Sequence, residues 1–334
     1  MSNIAGEIYF IAEEPSVSAP PVRVKIGLVR ESKENRDSRD RLLDHQTGNP
    51  RSLVLLEAIK TARVSQVENS LHQRYANRRG IGEWFELTKP ELTLAIAECH
   101  ELAEQQSVHL PVIRKAESLK FAERNGIVVA ASDESTEWHQ KHQVAKASES
   151  VFSKLKSEYK EKIVSAHEAG ADISRYAAVS QARLTLNSWL LEHHRDAHEA
   201  CKRSSQSEPF TPKSATLDAA LNQSEKELAE EFRARLEEWT LETGFEELHR
   251  VYLETRRPSS IWKEEKDLAL AYLKVSCGQN QGIDGICSWQ TRTSNKFSAE
   301  IAEEKYPDLV QAHEMLEVFA KPSYRLRSGD DTGD

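Results

Sequence analysis

Arg41 and His45 stand four residues apart in RLLDHQTGNP, residues 41–50. In a helix that spacing puts both on one face. A guanidinium and an imidazole aimed together can hold an oxyanion and protonate it. Three more reactive types flank them: Tyr9 and Lys25 on the N-terminal side, and Glu68 on the C-terminal side. Each has a plainer reading when taken alone. Tyr9 is then a half-buried strand residue, Lys25 part of a solvated strand face, Arg41 and His45 an exposed helix pair, and Glu68 a capping glutamate. Only their joint occurrence in this order sets those readings aside.

The elements that must position them are legible nearby. EIYFI (7–11) is rich in β-formers, and VRVKIGLV (22–29) alternates apolar residues with Arg23 and Lys25. The two read as an antiparallel pair joined by a turn-rich loop of about ten residues around Pro15 and Pro20-Pro21. RESKENRDSRD (30–40) reads as a charged loop or helix start, 41–46 as helix, and TGNP as its stop. SLVLLEAI (52–59) is apolar enough for a central third strand. In VSQVENSLHQRYA (64–76), Val64, Val67, Leu71 and Tyr75 form one apolar stripe, and Ser65 with Glu68 resembles a capping box. RRGIGEWFEL closes the unit, and 90–105 adds a helix.

The 334 residues allow two or three domains. A charged content of 30% with only 13 Gly and 11 Pro favours long helices over a β-sandwich. The net charge of −9 excludes a protein that coats nucleic acid non-specifically. Residues 1–90 hold 14 Lys and Arg against 12 Asp and Glu, a net +2, which leaves −11 for the remainder. A near-neutral first domain can still approach phosphates through a local basic patch. Cys99, Cys201, Cys277 and Cys287 show no C-x-x-C spacing, which argues against a structural zinc site and a disulfide framework. No secretory signal and no window near 18 apolar residues is present, so a cytoplasmic protein without a membrane span is expected.

EIYFI, VKIG, RLLDHQTGNP, VENSLHQRY and GEWFEL occur in that order within about eighty residues. Together they resemble the GIY-YIG nuclease superfamily, and more closely a phage and bacterial branch with QTGNP and GEWF boxes. Tyr9 matches the tyrosine of the first signature, and Ile26-Gly27 the end of the second. The resemblance implies an α+β fold: a small three-stranded antiparallel sheet with flanking helices, here followed by a predominantly α-helical region. It implies an endonuclease that hydrolyses DNA phosphodiesters with one Mg²⁺ (or Mn²⁺), in a phage, mobile-element or phage-defence setting. Carried across, Tyr9 contacts or deprotonates the attacking water, Arg41 holds the scissile phosphate, His45 joins the site, and Glu68 is the one protein ligand to the metal. Lys25 stands where many relatives have a second tyrosine. The chemistry suits these types, since hydrolysis needs an activated water and a countercharge for the extra negative charge. A lysine beside Tyr9 favours the phenolate, and a single carboxylate with water ligands is how Mg²⁺ is usually held. The late asparagine of some relatives has no clear match. Asn77 is a candidate, Glu83 a candidate neighbour of the site, and Trp84 core. His72 either orients Glu68 or forms a surface pair with it.

The expected division is a nuclease domain over 1–105, a helical domain over 106–203, a linker over 204–216, a helical C-terminal domain over 217–325 and a disordered tail over 326–334. Helices are expected from Asp133 or Ser135 to Gly170, from Ile173 to about Arg203, over 217–242, from Pro258 to about Ser276, and after Ser298 with a break at Pro307. His194 and His198, at i,i+4, have metal-binding spacing, with a solvated helix face as the competing reading. Trp138, Trp189, Trp239, Trp262 and Trp289 are expected as core or interface anchors. The acidic helical region positions DNA, self-assembles or binds a protein partner. A catalytically degenerate nucleic-acid-binding or assembly protein on the same fold is the alternative function.

Overall fold

The computed structural model describes residues 4–18, 21–31, 36–47, 49–80, 82–214, 222–316 and 318–327. Gly48 of the QTGNP box, the last two residues of the expected linker and the tail from 328 lie outside the described residues.

The chain opens with β1 (Gly6–Glu13), α1 (Glu14–Ser18), β2 (Val22–Arg30), α2 (Ser38–Gln46), β3 (Leu53–Thr61), α3 (Val64–Arg74), β4 (Trp84–Leu87), α4 (Lys89–Ser107) and α5 (Leu110–Ser118). The sheet has four strands, not the expected three, in the order β3-β1-β2-β4, each pair antiparallel. The added strand is the GEWF box, whose Trp84 and Phe85 pair with Lys25 and Val24. β3 is an edge strand rather than a central one. Its apolar run arises because α2 and α4 both pack against it, so a strand can lie at an edge and still be covered.

Period-two alternation divides the sheet faces. Ile8, Phe10, Val22, Val24, Ile26, Phe85 and Leu87 point one way, into a core closed by Val64, Val67 and Leu71 of α3 and Ala95, Cys99 and Ala103 of α4. The opposite face carries Tyr9, Ile11, Leu53 and Trp84 beneath Leu42 of α2. Trp84 is core, as expected.

Beyond α5 come β5 (Val128–Val129) and α6 (Asp133–Glu168), capped by Ser132 and ended by Gly170 at φ 98°. Next are β6 (Ala177–Ser180), α7 (Leu186–His193), α8 (Arg195–Ala200), β7 (Lys202–Ser207), β8 (Phe210–Pro212) and α9 (Gln223–Glu238). The chain continues through α10 (Phe245–Cys277), β9 (Gly282–Ile283), β10 (Cys287–Trp289), β11 (Arg292–Phe297), α11 (Ala299–Lys305), α12 (Pro307–Met315) and β12 (Ser323–Leu326). No described helix is long and apolar enough to cross a membrane.

The C-terminal region is thus less purely helical than expected. The helix expected from Ile173 to Arg203 is replaced by β6, α7, α8 and β7, because β6 pairs with β12 and β7 with β11. Those partners lie far along the chain, where local pattern cannot reveal them. The expected linker is also partly sheet, with β8 pairing to β10. Pro258 does not start a helix but sits inside the 33-residue α10. An interior proline costs ~3 kcal/mol. Packing of α10 along α6 offsets it, with Leu248 and Val251 buried before the proline and Leu268 and Ala269 after it. The break at Pro307 and the Ser298 cap are as expected. Trp189, Trp239 and Trp289 are buried, Trp262 packs against the core around Trp239, and Trp138 stacks on Tyr272 at 3.7 Å.

One apolar cluster joins the two parts of the chain. Ile4 and Ala62, at the margin of the sheet, pack with Ile113 and Ala116 of α5 and Leu268 and Ala271 of α10.

Candidate active site

Tyr9 lies opposite Gly27 across β1 and β2. Its ring occupies the space a side chain at 27 would need, since a Cβ there would fall 2.4 Å from the Tyr9 hydroxyl. Glycine at 27 leaves that space to the ring. Tyr9 is 1% exposed, and its hydroxyl is 3.1 Å from His45 Nε2. His45 can reach it because α2 starts at Ser38, where Asp37 and Asp40 form a reciprocal cap. Arg41, one turn before His45, has its Nη1 3.4 Å from Asp44, while its Nε is buried without an acceptor among the described residues.

Lys25 is 1% exposed and donates to Glu83 Oε2 at 2.9 Å, a short step from the GEWF strand. Burial pushes the Tyr9 phenol far up, with Glu83 and Glu68 adding to the rise against Lys25 and Arg41. Lys25 does pull towards the phenolate, as its charge requires, but desolvation outweighs it and the phenol stays neutral.

Glu68 does not form a capping box with Ser65. The first turn of α3 has no local side-chain cap. Instead Glu264 of α10 accepts from Ser65 N at 2.8 Å and Gln66 N at 3.2 Å. That leaves Glu68 turned into a cavity of about 280 Å³, shared with Tyr9, Arg41, Asn69, His72 and Glu83. Burial, with Glu83 beside it, pushes the Glu68 carboxyl well above the usual carboxylate range, while Lys25, Arg30 and Arg257 pull it down. His72 is buried and bonded to the Ile26 carbonyl at 2.8 Å, so it is not a surface partner of Glu68. A carbonyl can only accept, which places the His72 proton on Nε2.

Of the residues singled out from sequence, Tyr9, Arg41 and Glu68 line one cavity, His45 meets it through Tyr9, and Lys25 through Glu83. Asn77 sits exposed on a 3₁₀ turn and does not line it; Asn69, next to Glu68, does. Arg30, Arg256 and Arg257 also line the cavity and were missed. Arg30 directly follows the VRVKIGLV run, but nothing local to Arg256 and Arg257 ties them to a site nearly 200 residues upstream. The second histidine cluster is dispersed. His194 lies between α7 and α8, and His198 is buried, stacked on Phe297 and 2.9 Å from Asn187. The metal spacing and the solvated face are both set aside there, and among the described residues no group of three or more His, Cys, Asp or Glu could hold a metal. All four cysteines are buried and free.

Residues 6–105 match the T5orf172 domain. The match starts with β1 and ends within α4, so it encloses the sheet and the helices carrying Tyr9, Arg41 and Glu68. No curated protein and no solved structure matches the chain.

Proposed function

We propose that the chain is a metal-dependent endonuclease that hydrolyses DNA phosphodiesters at the cavity between α2 and α3. The observation that carries this reading is the convergence there of Tyr9 from β1, Arg41 from α2 and Glu68 from α3. The T5orf172 match supports it, as that domain family is phage-associated and nuclease-like. The GIY-YIG resemblance of the boxes points the same way.

The donor set suits a hard divalent cation. Glu68 and Glu83 are carboxylates in one cavity, and the charge on Glu83 opposes ionisation of Glu68. A cation beside Glu68 reverses that penalty. Glu68 would hold Mg²⁺ or Mn²⁺, with water as the remaining ligands. The ion supplies Lewis-acid polarisation of the phosphoryl oxygen and countercharge.

The chain's own groups do the rest. Arg41 grips the phosphate and takes up the charge that develops in the transition state. Tyr9 is neutral and already bonded to His45, so it serves as a relay rather than a phenolate base. It takes a proton from the attacking water as it passes its own to His45 Nε2, 3.1 Å away. Lys25 fixes Glu83 at the cavity wall.

The test is nicking of supercoiled plasmid in Mg²⁺ and Mn²⁺ by the wild type and by Tyr9→Phe. Loss of ~10²-fold in Tyr9→Phe, the scale of one proton-transfer catalyst, is expected. Equal nicking by both removes the relay. Metal-independent binding with no nicking by the wild type replaces the enzyme with the non-catalytic alternative.

A further inference from the structure

One wall of the cavity comes from far outside the matched domain. Leu253, Arg256, Arg257, Ser260 and Ile261 of α10 line it. With Glu264 they fall at i, i+3, i+4, i+7, i+8 and i+11, a single helical face. The register of that face is fixed at one end. Glu264, 1% exposed, caps Ser65 and Gln66 and lies 3.6 Å from Arg30 and 3.8 Å from Arg63. Arg63 also pairs with Glu265. Two turns back along α10, about 10 Å, stands Arg257, where its charge is felt by Glu68. Glu264 thus sits at the start of α3, and Arg257 lines the cavity that α3 lines through Glu68, Asn69 and His72.

Arg257 is partly buried, and among the described residues neither it nor Arg256 has a hydrogen bond or ion pair. A guanidinium stays charged even when desolvated, and Glu68, whose charge Arg257 feels, forms no ion pair with it. The cavity lining holds four arginines (Arg30, Arg41, Arg256 and Arg257) against Glu68 and Glu83; Glu264 and Asp44 lie beside Arg30 and Arg41, so the two α10 arginines supply the positive charge that suits a polyanion.

We propose that Arg257, seconded by Arg256, is a substrate-binding arginine of this site, so that a DNA phosphate is held between Arg41 of α2 and Arg257 of α10. The inference rests on the nuclease reading above and extends it: the T5orf172 domain lacks one wall of its own phosphate site, and the acidic C-terminal region supplies it. That region carries net negative charge, yet it places two arginines at the cavity, neither of them in a hydrogen bond or ion pair among the described residues.

The experiment uses the full chain as wild type, Arg257→Ala and Arg257→Lys, with Arg257→Gln as a second neutral variant should the alanine form not fold. Binding of a fluorescent duplex oligonucleotide is measured in EDTA across a salt series, and plasmid nicking in Mg²⁺. Arg257→Ala should bind about tenfold more weakly, the scale of one charged hydrogen bond. Its slope of log affinity against log salt should fall by about 1. Arg257→Lys should keep the slope but nick more slowly, because an ammonium cannot reproduce the planar fork. Unchanged affinity and slope in Arg257→Ala, with nicking intact, overturns the inference and leaves the nuclease reading standing. Faster nicking by Arg257→Ala also overturns it, since Arg257 would then occupy the cation's place beside Glu68. Binding without nicking by the wild type, with the slope still lowered in Arg257→Ala, sinks the nuclease reading and keeps the arginine. A wild type that neither binds nor nicks removes both.

Discussion

Gly27→Ala is a small change with a large expected effect. The new methyl would lie 2.4 Å from the Tyr9 hydroxyl and 2.5 Å from Cζ of the same ring. Carbon atoms rest at about 3.5 Å or more, so the ring must retreat by about 1 Å. The Tyr9–His45 contact at 3.1 Å has little room for that before it ceases to be a hydrogen bond. A misplacement of about 1 Å in a reacting group costs ~10²-fold in rate, whereas overpacking of this kind costs ~1–3 kcal/mol in stability. The variant should therefore fold, with a lowered denaturation midpoint, and nick plasmid ~10²-fold more slowly in single-turnover experiments with saturating Mg²⁺. In a Tyr9→Phe background the same substitution should add little, since the hydroxyl it displaces is already gone. A folded Gly27→Ala protein within about twofold of the wild-type rate, the same precision at which additivity is judged, refutes the placement of Tyr9 in the chemistry.

Arg41→Ala should lose ~10²-fold or more in single-turnover nicking, and Arg41→Lys should recover little of it; a wild-type rate for Arg41→Ala removes it from the phosphate site. Glu264→Ala should cost ~1–2 kcal/mol, the scale of a lost helix cap, read as a lower urea midpoint; an unchanged midpoint means the α3 cap is not stabilising. Because burial and Glu83 raise the Glu68 carboxyl above its ordinary value of 4.5, against Lys25, Arg30 and Arg257, a proton competes with the metal over a window above that value. Acid should therefore weaken metal binding, and nicking at sub-saturating Mg²⁺ should climb about tenfold per pH unit until the carboxyl is ionised. A rate independent of pH in that window contradicts this assignment.

Much of the N-terminal unit is legible in the sequence because its signals are local. Alternation in VRVKIGLV sets which face Lys25 and Gly27 share, and the 41–45 spacing puts Arg41 and His45 together. The fourth strand was missed because Trp84–Leu87 is too short for alternation to stand out, and it exists only by pairing with β2. Glu68 taken alone reads as a cap and becomes a ligand only through the resemblance; the residue that actually caps α3, Glu264, lies far along the chain. Arg256 and Arg257 were invisible for the same reason: what gives them meaning is the docking of α10 on α3, a contact between segments far apart in the chain. Pro258 misled in the opposite direction. A proline signals a helix start from local rules, but packing on α6 carries the helix through it.

Glu68→Gln tests, with the least change of shape, whether Glu68 holds the ion that hydrolysis needs. The amide keeps the size of the carboxylate and removes its charge. Mg²⁺ titration of single-turnover plasmid nicking, run beside a thermal unfolding curve, is the measurement. Wild-type nicking should rise and saturate with Mg²⁺, and Glu68→Gln should fold normally and stay inactive at every concentration. Nicking by Glu68→Gln at the wild-type rate and the same Mg²⁺ midpoint would contradict that role of Glu68.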